Sequence, residues 1–425
     1  MVREHNRWLV AGNCTLLMVC LGTVYAWSFF QKPLAETYGW TNSQVAWTFS
    51  LAICFLGLAA AAGGMLLPRI GPTRLALLGA VLFGSSYLLA ALALRLHSLP
   101  LLYLGYGVVG GTGIGLGYVT PVATTAKWFP DRKGFATGMV VTGFGFGALL
   151  MSKVIAPLLL EQFGGALVSV FAAMGLLFLL VMVPVAACVR NPPPGWLPPG
   201  NSPSPESGPD SAESGAPDLR GCIFSRDFAF LWVIFFCNIV AGIAIIGFQS
   251  PLFQEICSKA DPTLGRDLLA RYGASLIAVS SLFNGIGRFF WGWLSDRIGR
   301  RETFRLLLGS QCLAFLLLMY TGNPWLFALL ICYILLCYGG GFGTMPAFVL
   351  DRFGSRVMPA VYGSILTAWS AAGIVGPQLV ALIKDRYPVE LYPGRAPYYS
   401  FALGCGFLLV GFIFTFLLAS RRRDC

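Results

Sequence analysis

Twelve times in 425 residues the sequence runs apolar for about 20 residues, the length an α-helix needs to cross roughly 30 Å of hydrocarbon. The segments fall near 8–30, 44–67, 75–96, 99–126, 135–157, 166–189, 227–252, 272–295, 303–321, 324–350, 357–383 and 398–420. Charged residues make up 11% of the chain, against roughly 25% in an ordinary soluble domain. The fold class expected is therefore an all-α membrane protein. The first segment is too long for a signal-peptide core and leads straight into a second, so it is read as a retained helix. An even number of crossings puts both termini on one side.

The net charge of +11 first suggests a nucleic-acid partner, but in a membrane chain its distribution over alternating loops decides. One set of loops holds Arg3, Arg7, Arg69, Arg74, Lys127, Arg132, Lys133, Arg190, Arg220, Arg226, Arg297, Arg300, Arg301, Arg305, Arg352, Arg356 and Arg421 to Arg423, 19 of the 29 basic residues. The opposite set holds eight. The positive-inside rule then makes both termini cytoplasmic, in the plasma membrane, and the partner is the bilayer and not nucleic acid. Most of the twelve cysteines lie in apolar segments as small hydrophobes, with Cys257 expected in an outer loop, and no disulfide or metal pattern is indicated.

Residues 190–226 are rich in Pro, Ser and Gly and read as a flexible cytoplasmic linker. It separates a six-helix unit at 1–189 from another at 227–425. The units resemble each other: "GMLLPRIGPTR" after the second segment matches "GWLSDRIGRRE" after the eighth at an offset of 228, and Pro121 and Gly138 match Pro346 and Gly363 at an offset of 225. Such duplications place a substrate between the halves near the bilayer midplane, where rocking gives alternating access.

"GWLSDRIGRR" is similar to the loop motif of the major facilitator superfamily, and the resemblance covers nearly the whole chain. More narrowly, "GIGLGYVTPVATTAKWFPDRKGFATG" and "NGIGRFFWGWLSDRIGRR" resemble the oxalate/formate antiporter family, related to the monocarboxylate transporters. The resemblance implies two pseudo-symmetric six-helix bundles and transport of small carboxylates. Pro68 stands where the first-half loop motif usually has an acid, which removes one gate contact there.

Arg288 lies seven residues before Ser295, roughly 10 Å from the inner end of its segment. A charge at that depth costs at least about 2.5 to 3.5 kcal/mol and normally faces a cavity or a partner. Ser281, Asn284, Gly285, Arg288 and Gly292 form one small, polar helical stripe, expected to face a central cavity. No Asp or Glu lies in the central part of any segment, so the guanidinium fork is read as a substrate carboxylate anchor and not as half of a structural ion pair. Asn284, one turn away, either donates to the substrate, holds Arg288 through its amide oxygen or makes an interhelical hydrogen bond. The resemblance puts an aspartate there in proton-linked animal carriers. The amide tilts the expectation toward anion exchange, with proton symport left open.

Tyr25, Tyr118, Tyr338 and Phe342 match positions where the antiporter family has aromatic walls; taken singly, each could equally be a packing residue. At Trp369, in "ILTAWSAAG", oxalate carriers that resemble this segment place a lysine. One positive charge in place of two favours a small monocarboxylate, such as lactate, pyruvate or formate, over a dicarboxylate. An oxalate carrier and an efflux carrier for bulkier organic anions are the alternatives, the second if the aromatic residues splay apart. Lys153, near an outer helix end, is expected to snorkel. Asp296, Arg297 and Arg300 are expected at the cytoplasmic gate, or as a topology-setting charge cluster. "GGTGIGLG" at 110–117 has no preceding strand and is read as a helix-packing surface, not a dinucleotide loop. His5 and His97 are too isolated for a membrane enzyme, and the linker is too short for a signalling domain. No catalytic residue, cofactor or metal is expected, and a monomer is.

Overall fold

A computed structural model describes residues 6–129, 133–193, 219–354, 357–388, 391–392 and 394–418, so Arg3, Arg132, Arg356 and Arg421 to Arg423 of the basic loops and 194–218 of the linker lie outside the described residues. Among those described there are helices and no strands. The long helices are α1 (Arg7–Tyr38), α2 (Asn42–Ile70), α3 (Pro72–Arg95), α4 (Leu99–Trp128), α5 (Gly138–Gln162) and α6 (Leu167–Ala187). They continue with α7 (Arg226–Ala260), α8 (Arg266–Ile298), α9 (Arg300–Tyr320), α10 (Pro324–Phe353), α11 (Ala360–Arg386) and α12 (Arg395–Leu417).

Eleven of these are long and apolar enough to cross a membrane. The twelfth, α8, has the length but not the composition, because Arg271, Arg288, Asp296 and the Ser, Asn and Gly stripe dilute its apolar residues. Ser281, Asn284, Arg288 and Ser295 share one buried face of it. Two further expectations need correction. α7 runs to Ala260 and not to 252, ending where Asp261 turns back to accept from Thr263 N and a proline follows. Cys257 is consequently a buried helical residue and not a loop thiol. Part of the expected linker, Leu219–Ile223, is also a short helix.

The helix starts follow from local chemistry. Thr41 and Gln44 form a reciprocal capping box at α2, with Gln44 N donating to Thr41 Oγ1 at 3.2 Å and Thr41 N to Gln44 Oε1 at 2.9 Å. Ser225 caps α7 through Phe228 N at 3.1 Å, and Asn323 with Pro324 opens α10. The two Arg-Ile-Gly sequences make the same sharp turn. Gly71, between α2 and α3, has φ +85°, and Gly299, between α8 and α9, has φ +91°, a region side chains disfavour.

The duplication extends to packing. Gly111 and Gly115 of α4 press on the carbonyls of Ala52 and Leu56 in α2, where a Cβ would come within 2.3 Å of either oxygen. Gly339 and Gly343 of α10 press likewise on the carbonyls of Asn284 and Arg288 in α8, with Cβ distances of 2.0 and 2.3 Å. Glycines four residues apart thus seat α10 directly against the backbone that carries the buried cation. Between the first six helices and the last six, the broadest contacts are α2 with α11 and α5 with α8.

Candidate functional site

Arg288 is only 4% exposed and projects from α8 toward α5, where its Nη1 donates to the carbonyl of Val141 at 2.7 Å. Beside it, the Ser281 hydroxyl donates to the carbonyl of Gly145, so Ser281 and Arg288 of the polar stripe face α5 in the opposite half. Among the described residues no carboxylate pairs with Arg288; its Nε and Nη2 lack a hydrogen bond of full geometry, and the Tyr118 hydroxyl approaches the guanidinium. A buried, partly unmatched guanidinium is costly unless an acceptor completes it.

Aromatic rings enclose the cation. The guanidinium carbon lies 5.5 Å from the Phe342 ring centre and 6.0 Å from that of Phe144, within cation–π range. Phe342 stacks edge-on to Trp369 at 4.6 Å and to Tyr338 at 5.3 Å, and Trp369 meets Tyr118 at 5.6 Å. Tyr25, placed in a tight 3-10 turn at Thr23–Ala26 in the middle of α1, shares a 2.8 Å hydrogen bond with the Tyr338 hydroxyl across the halves. All five predicted aromatic residues therefore meet in one buried cluster with Arg288. They do not splay apart. Trp369 Nε1 is buried in the same cage beside the Tyr338 hydroxyl, short of full hydrogen-bond geometry.

Asn284 is buried on the same helix, but its Oδ1 has no partner and lies against Gly339 of α10, so it does not hold the guanidinium. Lys153 donates to Ser275 Oγ at 2.5 Å, thirteen residues along α8 from Arg288, or roughly 20 Å, and supplies no second charge to the cage. At the end bearing the basic loops, Arg300 bridges Asp296 at 2.6 Å and Asp351 at 3.1 Å, tying α8, α9 and α10 of one half together. Arg297 lies over the Trp293 ring at 3.9 Å.

Three residues that the structure brings forward escaped sequence reasoning. Phe144 touches Tyr25 at 5.0 Å, Tyr118 at 5.4 Å and Trp369 at 6.2 Å, which makes it the hub of the cage. Its setting in "GFGFG" was the available signal: Gly143 and Gly147 let α5 close on α1, and Gly145 on α8, so the ring between them is driven inward. Tyr362 is half-buried near the start of α11, the helix that carries Trp369. Asp385, at the far end of α11, bonds to the start of α2.

Residues 13–377 match the family model described as Major Facilitator Superfamily. The oxalate:formate antiporter of Oxalobacter formigenes is 28% identical over 393 residues, 90% of this chain and 86% of that one. Apicoplast pyruvate carrier 1 of Toxoplasma gondii is 28% identical over 382 residues, 78% of this chain and 68% of that one. Among solved structures, a bacterial homologue of the human lysosomal transporter Spinster, in an inward-facing and unoccupied conformation, superposes with a TM-score of 0.69 at 17% identity, covering 97% of both chains.

Proposed function

Because the chain belongs to the Major Facilitator Superfamily, and so is a membrane transporter and not an enzyme, we propose that it moves a small monocarboxylate, of the lactate, pyruvate or formate type, by alternating access around Arg288. The observation that carries this reading is the buried guanidinium, paired with no carboxylate among the described residues, inside an aromatic cage. An acid anion supplies the acceptors that the protein withholds, and the Arg fork suits a carboxylate. Trp369 Nε1 and the tyrosine hydroxyls add uncharged donors, which orient one carboxylate but do not neutralise a second. The tight convergence of the rings speaks for a small cargo and against a bulky organic anion.

In this reading the basic end faces the cytoplasm in the plasma membrane, the segments 1–189 and 227–425 act as the two rocking bodies, and the protein works as a monomer. Asp296, Arg297 and Arg300 belong to the cytoplasmic gate region. With Asn284 an amide, coupling is assigned to anion exchange, with the substrate's own proton as the other route. Oxalate is the second reading, because a relative named for oxalate and formate antiport is 28% identical. Counterflow in proteoliposomes with labelled lactate, formate and oxalate, with and without a pH gradient, separates these. Lactate or formate uptake that disappears in Arg288→Ala supports the proposal; efficient oxalate exchange would refute the argument from Trp369.

A further inference from the structure

At the end opposite the basic loops, the first turn of α2 is completed by the other half of the molecule. A helix start leaves its first backbone N–H groups without intrahelical partners. Thr41 takes that of Gln44. Those of Asn42 and Ser43 go to Asp385 of α11, at 3.2 Å to Oδ1 and 3.0 Å to Oδ2. Asn42 Nδ2 adds a bond of 3.3 Å to Oδ1, and the Ser43 hydroxyl donates to Oδ2. Asp385 thus accepts four times from one helix terminus, whose dipole also favours its charge. From α1, Trp27 Nε1 donates to Gln31 Oε1, and Gln31 Nε2 to the Asn42 carbonyl, both at 3.1 Å, bracing the same turn. The neighbouring Lys384 is engaged elsewhere, paired with Glu255 of α7 in its own half. A second polar bridge at this end, Lys153 to Ser275, joins α5 to α8.

We infer that Asp385 and the first turn of α2 form a latch holding the transporter closed at the end opposite its basic loops, and that the ionised carboxylate is its key. Opening that end requires α2 and α11 to part, which breaks all four bonds together. Neutralising Asp385 weakens the latch because every partner is a donor: an amide turns one of its two acceptor atoms into an NH2 donor facing N–H and O–H groups. The Glu255–Lys384 pair lies one residue away but within one half, so removing it leaves the latch intact.

The test is a distance measurement between spin labels at exposed positions 163 and 268, on the two halves at this end, in a cysteine-free full-length chain in lipid nanodiscs without added substrate. Asp385→Asn is expected to raise the long-distance population roughly tenfold, the loss of about one charge-assisted hydrogen bond at a half-exposed site. Ser43→Ala, which removes a single donor, shifts it the same way by less and carries the test if Asp385→Asn does not assemble. Glu255→Gln leaves the distribution as in the parent. An unchanged distribution in Asp385→Asn, or in Ser43→Ala where that variant stands alone, overturns the latch, and so does an equal shift in Glu255→Gln. No cargo enters the measurement, so the result stands apart from the identity of the carboxylate.

Discussion

Replacing Arg288 by Met should abolish transport while leaving the stability of the fold nearly where it is. A structural cation would behave otherwise: stripping one partner from a buried ion pair costs about 3–5 kcal/mol because the other charge is left stranded. Among the described residues Arg288 has no such partner. Its removal relieves a desolvation cost of at least about 2.5 to 3.5 kcal/mol. Against that stand one hydrogen bond from a charged donor to Val141, worth about 1.5–3 kcal/mol, and contacts with two rings worth roughly 1–2 kcal/mol together. These nearly cancel, so the variant should unfold within about 2 kcal/mol of the parent. Transport should vanish, because two charge-assisted bonds to a carboxylate are lost, and each is worth at least about tenfold in affinity. Reversible unfolding in mixed detergent micelles gives the first quantity and proteoliposome counterflow the second. A loss of more than about 3 kcal/mol would show that the guanidinium holds helices together. Retained transport would show that it does not hold the cargo.

Three further outcomes follow from the same geometry. Trp369→Lys places a second cation in the cage and should convert the carrier toward oxalate, read as oxalate counterflow gained and monocarboxylate counterflow lost. Gly343→Ala drives a Cβ to 2.3 Å from the Arg288 carbonyl and should cost about 1–3 kcal/mol by overpacking, with transport falling as α8 is displaced. Tyr25→Phe and Tyr338→Phe remove the two ends of one 2.8 Å bond, so a double-mutant cycle on stability should give a coupling of about 0.5–1.5 kcal/mol, whereas additive losses would show that the pair does not act together.

Apolar runs of bilayer length were legible because lipid imposes them on every spanning helix, and Arg288 was legible because no Asp or Glu lies in the central part of any segment. What the sequence concealed is of three physical kinds. The acceptor for Arg288 is a backbone carbonyl, that of Val141, and every residue owns one, so no side-chain pattern marks it. Phe144 becomes a site residue only through the approach of α5; in the linear chain it is one aromatic among many. Asp385 carries no sequence signal of its role, because its four donors lie more than three hundred positions away. Cys257 was misplaced for a simpler reason: the apolar run fades near 252, yet α7 continues to Ala260 with Pro251 inside it. The paired Arg-Ile-Gly turns were the best guide, since a repeated glycine with positive φ is a backbone requirement that survives when side chains diverge.

The bond from Arg288 to Val141 also bears on how such a chain is made. The carbonyl that solvates the guanidinium belongs to a helix completed well over a hundred residues earlier in synthesis, so α8 settles into lipid only beside a neighbour already waiting there. A fragment carrying residues 219–418 alone would bring its cation into hydrocarbon with that acceptor missing. It should be cleared by membrane quality-control proteases unless the first fragment is co-expressed in trans.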